Sequence, residues 1–238
     1  MFLRLLDEIE FKEEDTMFVL GDFLDRGPHP IRLTQKLMEM DNVYSLKGNH
    51  EVMAEECMSF LLKEVTEESI KEFEQRMGEG YINWMMNGGD TTLQEFRRLD
   101  HEQKLAVLEY LDECTYYETI TVNNRKFLLV HAGLGNYRDD KDIGDYTMEE
   151  ILFMRPEYSI PWFKDIITIS GHTPTQVIEG NPNPGRIYHH NRHIVIDCGC
   201  YGEGGRMAAL RLNDMKEYYV ERENMRKAGE ILRRMIIR

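Results

Sequence analysis

Short apolar runs alternate with amphipathic stretches in the first part of the chain. The runs Met17-Phe18-Val19-Leu20 and Val43-Tyr44-Ser45-Leu46 predict buried strands, and the apolar spacing from Ile31 to Met40 predicts a helix between them. A second helix is expected after Glu51. This alternation is typical of an α/β sheet, which carries its functional side chains at the carboxyl ends of its strands.

The rest of the chain divides into a helical part and a largely β part. Residues 51–112 are helical in character, with a break at Asn87-Gly88-Gly89-Asp90, and we interpret them as a helical cap. Further strands are predicted at Thr119 to Val122, Phe127 to Val130, Ile166 to Ile169, Ile194 to Ile196 and Met207 to Leu212. Because no repeat or linker interrupts the chain, residues 1–238 are expected to form a single domain.

Residues 219–238 form a distinct, basic end of the chain. Apolar residues recur there at helical spacing, which predicts a C-terminal helix or tail. Such a helix docks on its own domain in the simpler interpretation, and seeks an acidic partner or a lipid surface in the alternative.

Composition narrows the class of protein. With 42% hydrophobic and 30% charged residues, the 238-residue chain is typical of globular proteins. No apolar run exceeds four residues, which argues against a membrane span, and the N-terminus turns acidic too soon for a signal peptide, so we expect a cytoplasmic location. A net charge of −14 argues against nucleic acid as a partner. The four cysteines are expected to be reduced packing residues.

Four short segments follow strand-like runs and end in side chains that bind metals or phosphate. They are Gly21-Asp22-Phe23-Leu24-Asp25-Arg26-Gly27, Gly48-Asn49-His50-Glu51, His131-Ala132-Gly133 and Gly171-His172-Thr173-Pro174. A set of carboxylate, amide and imidazole ligands suits Mn²⁺, Fe²⁺ or Zn²⁺. The planar guanidinium of Arg26 can grip two oxygens of a phosphate.

These segments, in this order, resemble the motifs of the phosphoprotein phosphatase (PPP) family of metallophosphoesterases, in particular its bacterial, lambda-phosphatase-like members. The likeness runs from Phe2 to about Leu212 and includes the segment Asn87-Gly88-Gly89-Asp90-Thr91-Thr92-Leu93. It implies a calcineurin-like α/β fold of two packed mixed β-sheets flanked by helices, a four-layer sandwich. It also implies a hydrolase that holds two divalent metal ions, of which Mn²⁺ is the first expectation.

The resemblance assigns a role to each matching residue. Asp22 would bridge two metals, and Asn49, His131 and His172 would complete the shell of one of them. His50 would be the general acid that protonates the leaving oxygen, with Asp25 holding its imidazole. Arg26 and Arg155 would bind the phosphate, while His29, His189, His190 and His193 match no ligand of the family.

Several assignments have simpler alternatives. Asp25 can be a loop cap, since Asp often accepts hydrogen bonds from nearby backbone N–H groups. Arg155 can be an ordinary surface arginine before Pro156. Glu51 is interpreted as a helix-start residue, because the helix dipole favours a carboxylate in the first turn.

One motif of the family has no counterpart in this sequence. The family begins with Gly-Asp-x-His-Gly, whose Asp and His hold the second metal, whereas this chain opens with Met1-Phe2-Leu3-Arg4-Leu5-Leu6-Asp7-Glu8-Ile9, which looks like the helix that follows that motif. We therefore expect the sequence to start at an internal methionine, with one metal position intact and the other incomplete.

The function that this resemblance implies is hydrolysis of phosphate monoesters. Phosphoserine or phosphothreonine in proteins is the expected substrate, attacked by a metal-activated hydroxide without a phosphoenzyme. A symmetrical diadenosine tetraphosphate hydrolase is the alternative enzyme, and a truncated non-catalytic module that binds phosphate and metal is the alternative from another class. A small phosphate ester is also an acceptable substrate for such a site.

Overall fold

The computed structural model describes residues 1–222. Its helices are α1 (Phe2–Glu8), α2 (Pro30–Met38), α3 (Asn49–Leu61), α4 (Glu67–Glu72), α5 (Gly78–Met86), α6 (Asp90–Phe96) and α7 (His101–Glu113). Its strands are β1 (Met17–Val19), β2 (Val43–Ser45), β3 (Tyr117–Val122), β4 (Arg125–Val130), β5 (Ile166–Ser170), β6 (Tyr188–His190), β7 (His193–Val195), β8 (Arg206–Arg211) and β9 (Lys216–Glu221). One-turn π-helices cover Phe73–Met77 and Glu149–Phe153.

The strands form one mixed sheet and two smaller pairs. The five-stranded sheet has the order β3-β4-β5-β7-β6, in which β4, β5 and β7 run parallel. Strands β1 and β2 also pair in parallel, and a bridge between Leu46 and Thr115 continues β2 towards the start of β3. Strands β8 and β9 form an antiparallel hairpin. Parallel strands place their carboxyl ends at the same edge, which is where the candidate site lies.

Apolar residues from the strands and helices close three main cores. Leu20 and Leu46, which follow β1 and β2, pack with Phe127, Ile169 and Ile194 of the five-stranded sheet. On the other face of that sheet, Leu128 and Val130 pack with Ile151, Leu152 and Trp162. A third core joins α2, α3, α5, α6 and α7 around Trp84, Phe96 and Leu111. The α/β arrangement of β-sheets flanked by helices, which the family likeness implies, is therefore confirmed.

Most elements predicted from the sequence are present. The strands at Met17, Val43, Thr119, Phe127 and Ile166 all form, and the predicted break at Asn87 separates α5 from α6. The segment 49–113 is helical apart from short connections, although its role as a cap stays a prediction. The helix expected at the start of the chain is α1.

Two features differ from the sequence-based expectation. The predicted C-terminal helix begins too early, because Tyr219–Glu221 belongs to β9, where Tyr218 and Val220 are buried against Leu5 of α1. The alternating burial along β9 explains why a strand forms there. The rest of that predicted helix, 223–238, lies outside the described residues. Strand β6, which pairs with β7 through a turn at Asn191-Arg192, was not expected.

Candidate metal centre

Four predicted ligands meet at the carboxyl ends of β1, β2, β4 and β5. The His131 Nε2 atom lies 3.1 Å from Asn49 Oδ1 and 3.3 Å from Asp22 Oδ1. The His172 Nδ1 atom lies 3.0 Å from the same Asn49 oxygen. Ligand atoms of Asp22, His131 and His172 all lie within 4.8 Å of one another, and they form one candidate metal group within residues 1–222.

Backbone carbonyls fix which nitrogen of each imidazole faces this point. His131 Nδ1 donates to Leu20 O at 2.6 Å, and His172 Nε2 donates to Phe153 O at 3.1 Å, because a carbonyl oxygen can only accept. In a neutral imidazole the other nitrogen then carries a lone pair. Burial, followed by the neighbouring His131, lowers the pKa of His172 to about 4, so this ring is neutral at pH 7. Carbonyls in such positions are the outer partners that orient histidines in metal sites.

The donor set fits a divalent cation. Two imidazole nitrogens and the Asn49 amide oxygen turn acceptor atoms towards one another, and a shared cation stabilises such an arrangement. Two adjacent ligands at about 2.1 Å from an octahedral ion lie about 3.0 Å apart, close to the separations in this cluster. Although burial alone would raise the pKa of Asp22, the imidazoles of His131 and His50 hold it below its usual value, which keeps the carboxylate charged.

The backbone is shaped to bring these ligands together. Asp22 and His172 adopt left-handed conformations with φ of 54° and 60°, which are uncommon for non-glycine residues. Gly21, with φ of 82°, lies so close to the next loop that a Cβ atom there would come within 2.7 Å of Gly48 Cα. The strand ends can therefore approach each other only because position 21 lacks a side chain.

Glu51 has a structural role that the helix-start interpretation captures only in part. Its fully buried carboxylate accepts hydrogen bonds from the backbone N–H groups of Asp22 at 2.7 Å, Leu24 at 2.9 Å and Gly48 at 2.9 Å. Burial raises the pKa of this carboxyl group. Glu51 thus ties the loop after β1 to the loop after β2, rather than only capping α3.

His50 and Asp25 form a buried pair beside the ligand cluster. His50 Nδ1 lies 2.7 Å from Asp25 Oδ2, and the two side chains are 3% and 0% exposed. Burial alone would lower the pKa of His50, but the hydrogen bond to Asp25 and the negative charges of Asp22 and Asp25 together outweigh it, and the net effect is a raised pKa. The backbone N–H of His50 also points towards Asp22 Oδ1, at 3.5 Å. The structure therefore brings together the two residues that the family likeness pairs.

The two predicted phosphate-binding arginines differ in their surroundings. Arg26 donates from Nε to Asn87 O at 3.0 Å, and its guanidinium lies 4.7 Å from the ring centre of Tyr201. Arg155 is exposed and makes no hydrogen bond or ion pair with the rest of residues 1–222. Arg155 lies two residues after Phe153, whose carbonyl accepts a hydrogen bond from His172. The backbone near Arg155 is therefore held next to the site.

Most of the chain matches one known protein family. Residues 1–206 match the calcineurin-like phosphoesterase family, which is most of the chain. The protein is a calcineurin-like phosphoesterase. Members of this family are hydrolases that act on phosphate esters and bind divalent metals, in agreement with the cluster of Asp22, His131 and His172.

Individual relatives of this phosphoesterase are distant. The chain is 26% identical over 222 residues to the asymmetrical bis(5′-nucleosyl)-tetraphosphatases PrpE of Bacillus thuringiensis and Bacillus cereus, covering 83% of this chain and 75% of each relative. Among solved structures, a metallophosphoesterase from Sphaerobacter thermophilus covers 95% of this chain and 88% of its own, with a TM-score of 0.49 and 16% identity. The hypothetical protein PH1004 from Pyrococcus horikoshii has a TM-score of 0.45 and 11% identity, covering 98% and 84%.

Several residues at the site of this phosphoesterase were not predicted from the sequence. Trp84 and Thr92 contact Asp25 from α5 and α6, and Tyr201 stacks on Arg26 from the loop after β7. Thr92 lies within the segment Asn87-Gly88-Gly89-Asp90-Thr91-Thr92-Leu93 of the family likeness, and Trp84 lies just before it, so this segment was the available signal for both. Tyr201 follows a Gly-Cys pair after a strand and carries no comparable signal.

The histidines that match no ligand of the family lie elsewhere. His29 and His189 are exposed and pair with Glu95 and Glu217, both through a ring nitrogen. His193 is buried, with Nε2 at 2.7 Å from Ile160 O.

Within residues 1–222, no helix is both long and apolar enough to cross a membrane.

Proposed function

We propose that this calcineurin-like phosphoesterase hydrolyses phosphate monoesters, with phosphoserine or phosphothreonine in proteins as its substrate. The observation that carries the proposal is the buried His50–Asp25 pair next to the four converging ligands. An imidazole held by a carboxylate is suited to transfer a proton, and the adjacent cluster is suited to hold a cation. A proton donor beside a cation site is what phosphate-ester hydrolysis requires.

The ligands of the cation would be Asp22, Asn49, His131 and His172. When bound there, a divalent cation supplies Lewis-acid stabilisation of the phosphoryl charge and activates water. Mn²⁺ is the proposed ion, because the set mixes oxygen ligands with two imidazoles. That one metal position is complete and the other incomplete stays a prediction.

The remaining residues act on the substrate directly. His50, held through Nδ1 by Asp25, would donate a proton from Nε2 to the departing oxygen. Arg26 would bind two phosphoryl oxygens with its planar guanidinium, and Asn87 and Tyr201 hold that guanidinium in place before substrate arrives. The guanidinium of Arg155, on the opposite loop, would add a second positively charged side chain.

A second candidate substrate is a dinucleoside tetraphosphate. It is favoured by the 26% identity to two proteins described as asymmetrical bis(5′-nucleosyl)-tetraphosphatases. The same cation site and arginines would serve a phosphoanhydride, because its reacting centre is also a phosphoryl group.

The test compares substrates on one purified enzyme with added Mn²⁺. Release of phosphate from a phosphoserine peptide, with little cleavage of diadenosine tetraphosphate, is the expected result. Preferred cleavage of the dinucleotide would overturn the protein-phosphatase assignment, and its products would distinguish symmetrical cleavage to ADP from asymmetrical cleavage to ATP and AMP. Binding of phosphate with no turnover of any ester would indicate a non-catalytic module instead.

A further inference from the structure

Asp25 receives more hydrogen bonds than its pairing with His50 requires. Trp84 Nε1 lies 3.1 Å from Asp25 Oδ1 and 3.0 Å from Oδ2, and Thr92 Oγ1 donates to Oδ1 at 2.5 Å. The backbone N–H of Asp25 in turn donates to Thr92 Oγ1 at 2.9 Å. Both oxygens of the carboxylate are therefore engaged by groups other than His50.

All of these groups are removed from solvent. Trp84 and Thr92 are fully buried, and the side chain of Asp25 is 0% exposed. Water cannot replace a lost hydrogen bond easily in such a place, so the orientation of the carboxylate depends on these two side chains. The carboxylate plane sets the direction in which His50 Nδ1–H must point, and hence the direction of Nε2 on the other side of the ring.

The same pair of helices also holds Arg26. Between Trp84 and Thr92, the turn that joins α5 to α6 accepts the Arg26 backbone N–H at Gly88 O, 3.1 Å away, and its Nε at Asn87 O. Gly88 has φ of 97°, and a Cβ atom there would lie 2.7 Å from Arg26 Cγ. The turn thus fits closely against the loop that carries both Asp25 and Arg26.

We infer that the α5–α6 helix pair positions the proton donor, with Trp84 and Thr92 as its positioning residues. This inference rests on the proposed function, in which His50 protonates the leaving oxygen. Without the hydrogen bond from Trp84 or from Thr92, the Asp25 carboxylate can rotate about its Cβ–Cγ bond. The imidazole of His50 then rotates with it. The phosphate and cation ligands are left in place, so the loss falls on proton transfer.

The test uses esters that differ in their need for a proton. Nitrophenolate leaves without strong assistance, whereas an alkoxide such as that of a phosphoserine peptide needs protonation. For Thr92→Val and Trp84→Phe, we expect kcat on the phosphoserine peptide to fall by about 10- to 100-fold, the range for residues that orient an active group. We expect kcat on p-nitrophenyl phosphate, and KM for both esters, to stay within about twofold, because the binding groups are unchanged.

Two matched variants separate positioning from packing. Thr92→Ser keeps the hydroxyl group and should recover most of the rate on the peptide. Thr34→Val removes a hydroxyl from another fully buried threonine, one that donates to Pro30 O in α2, and should affect both esters equally or not at all. Because Thr92→Val and Trp84→Phe alter different helices, each tests the inference if the other variant does not fold.

Equal losses on the two esters, in variants that circular dichroism shows to be folded, would overturn the inference. His50→Ala on the same esters keeps its failure distinct from that of the proposed function. If His50→Ala lowers the peptide rate selectively and the helix variants do not, the positioning role alone is wrong. If His50→Ala shows no selectivity, its assignment as proton donor is wrong, and the positioning role falls with it.

Discussion

The two polar clusters of the site differ in whether they are complete without a ligand. Around Asp25, a carboxylate that only accepts is surrounded by donors from His50, Trp84 and Thr92. Around Asn49, acceptors face acceptors: its amide oxygen lies near the lone-pair nitrogens of His131 and His172. The first cluster is satisfied by the protein itself, whereas the second would be satisfied by a cation.

This difference separates stability from activity within a few ångströms. A group in the satisfied cluster supports the fold, because its loss leaves buried donors without partners. A group in the acceptor cluster supports ligand binding, and removing it relieves crowding among atoms that cannot bond to each other. Substitutions around Asp25 should therefore lower stability most, whereas substitutions around Asn49 should lower ligand binding and activity most.

The largest effect is expected for Asn49→Ala. Losing the amide oxygen that lies between the two imidazoles should lower kcat/KM by at least about a thousandfold, or about 4 kcal/mol. The reason is that the cation would lose one of its four proposed ligands. Without added metal, the free energy of unfolding should change by no more than about 1 kcal/mol, since alanine is well tolerated in the first turn of a helix. Steady-state kinetics and urea unfolding measure the two quantities. A large loss of metal-free stability would contradict the assignment of Asn49 to a ligand-dependent cluster.

The second largest effect is expected for Asp25→Ala, and here the main loss is in stability. Three buried donors lose their acceptor, so the free energy of unfolding should fall by about 3 to 5 kcal/mol, as when one partner of a buried ion pair is removed. Urea unfolding without metal measures it. The control is Asp140→Ala, which removes an exposed aspartate from its pair with Arg138 and should cost far less. Equal costs in the two variants would show that the buried cluster adds nothing to stability.

Addition of Mn²⁺ provides a smaller, thermodynamic test. At a free concentration of about 100 times Kd, a ligand that binds only the folded state adds about 2.7 kcal/mol, which corresponds to a rise in Tm of about 5 to 11 °C for a chain of this size. Differential scanning calorimetry should record this rise in the native chain and none in Asn49→Ala. The same rise in both proteins would place the ion elsewhere.

The same contrast explains how much of the site was predictable from sequence. Asp22, Asn49, His131 and His172 each follow a strand in a short glycine-containing motif, so local pattern together with parallel strand topology brought them to one edge. Trp84 and Thr92 are separated from Asp25 by 59 and 67 residues, and although Thr92 lies in a segment of the family likeness, no local pattern records that it contacts Asp25. Trp84 and Thr92 also resemble ordinary buried residues of amphipathic helices, which conceals their polar function.

The fold was predictable where burial follows a simple period. The strand at Phe127 is a continuous apolar run, as expected for a strand covered on both faces. In β9, by contrast, Lys216-Glu217-Tyr218-Tyr219-Val220-Glu221 mixes charged and aromatic residues, and its strand form depends on pairing with β8 and packing under α1. Tertiary contacts of this kind override weak local preference.

The smallest effect tests whether Arg26 belongs to the satisfied part of the site. Tyr201 is 52% exposed, yet its ring lies under the Arg26 guanidinium. An exposed cation–π contact contributes about 0.5 to 1 kcal/mol, so Tyr201→Leu should lower kcat/KM by about two- to fivefold, mainly through KM, because the arginine is less ordered before it binds phosphate. Tyr44→Leu is the matched control, since Tyr44 is 54% exposed and stacks on Phe18 rather than on an arginine. If both variants behave alike, the Asn87 carbonyl alone suffices to hold Arg26, and the guanidinium is preorganised from the helical side only.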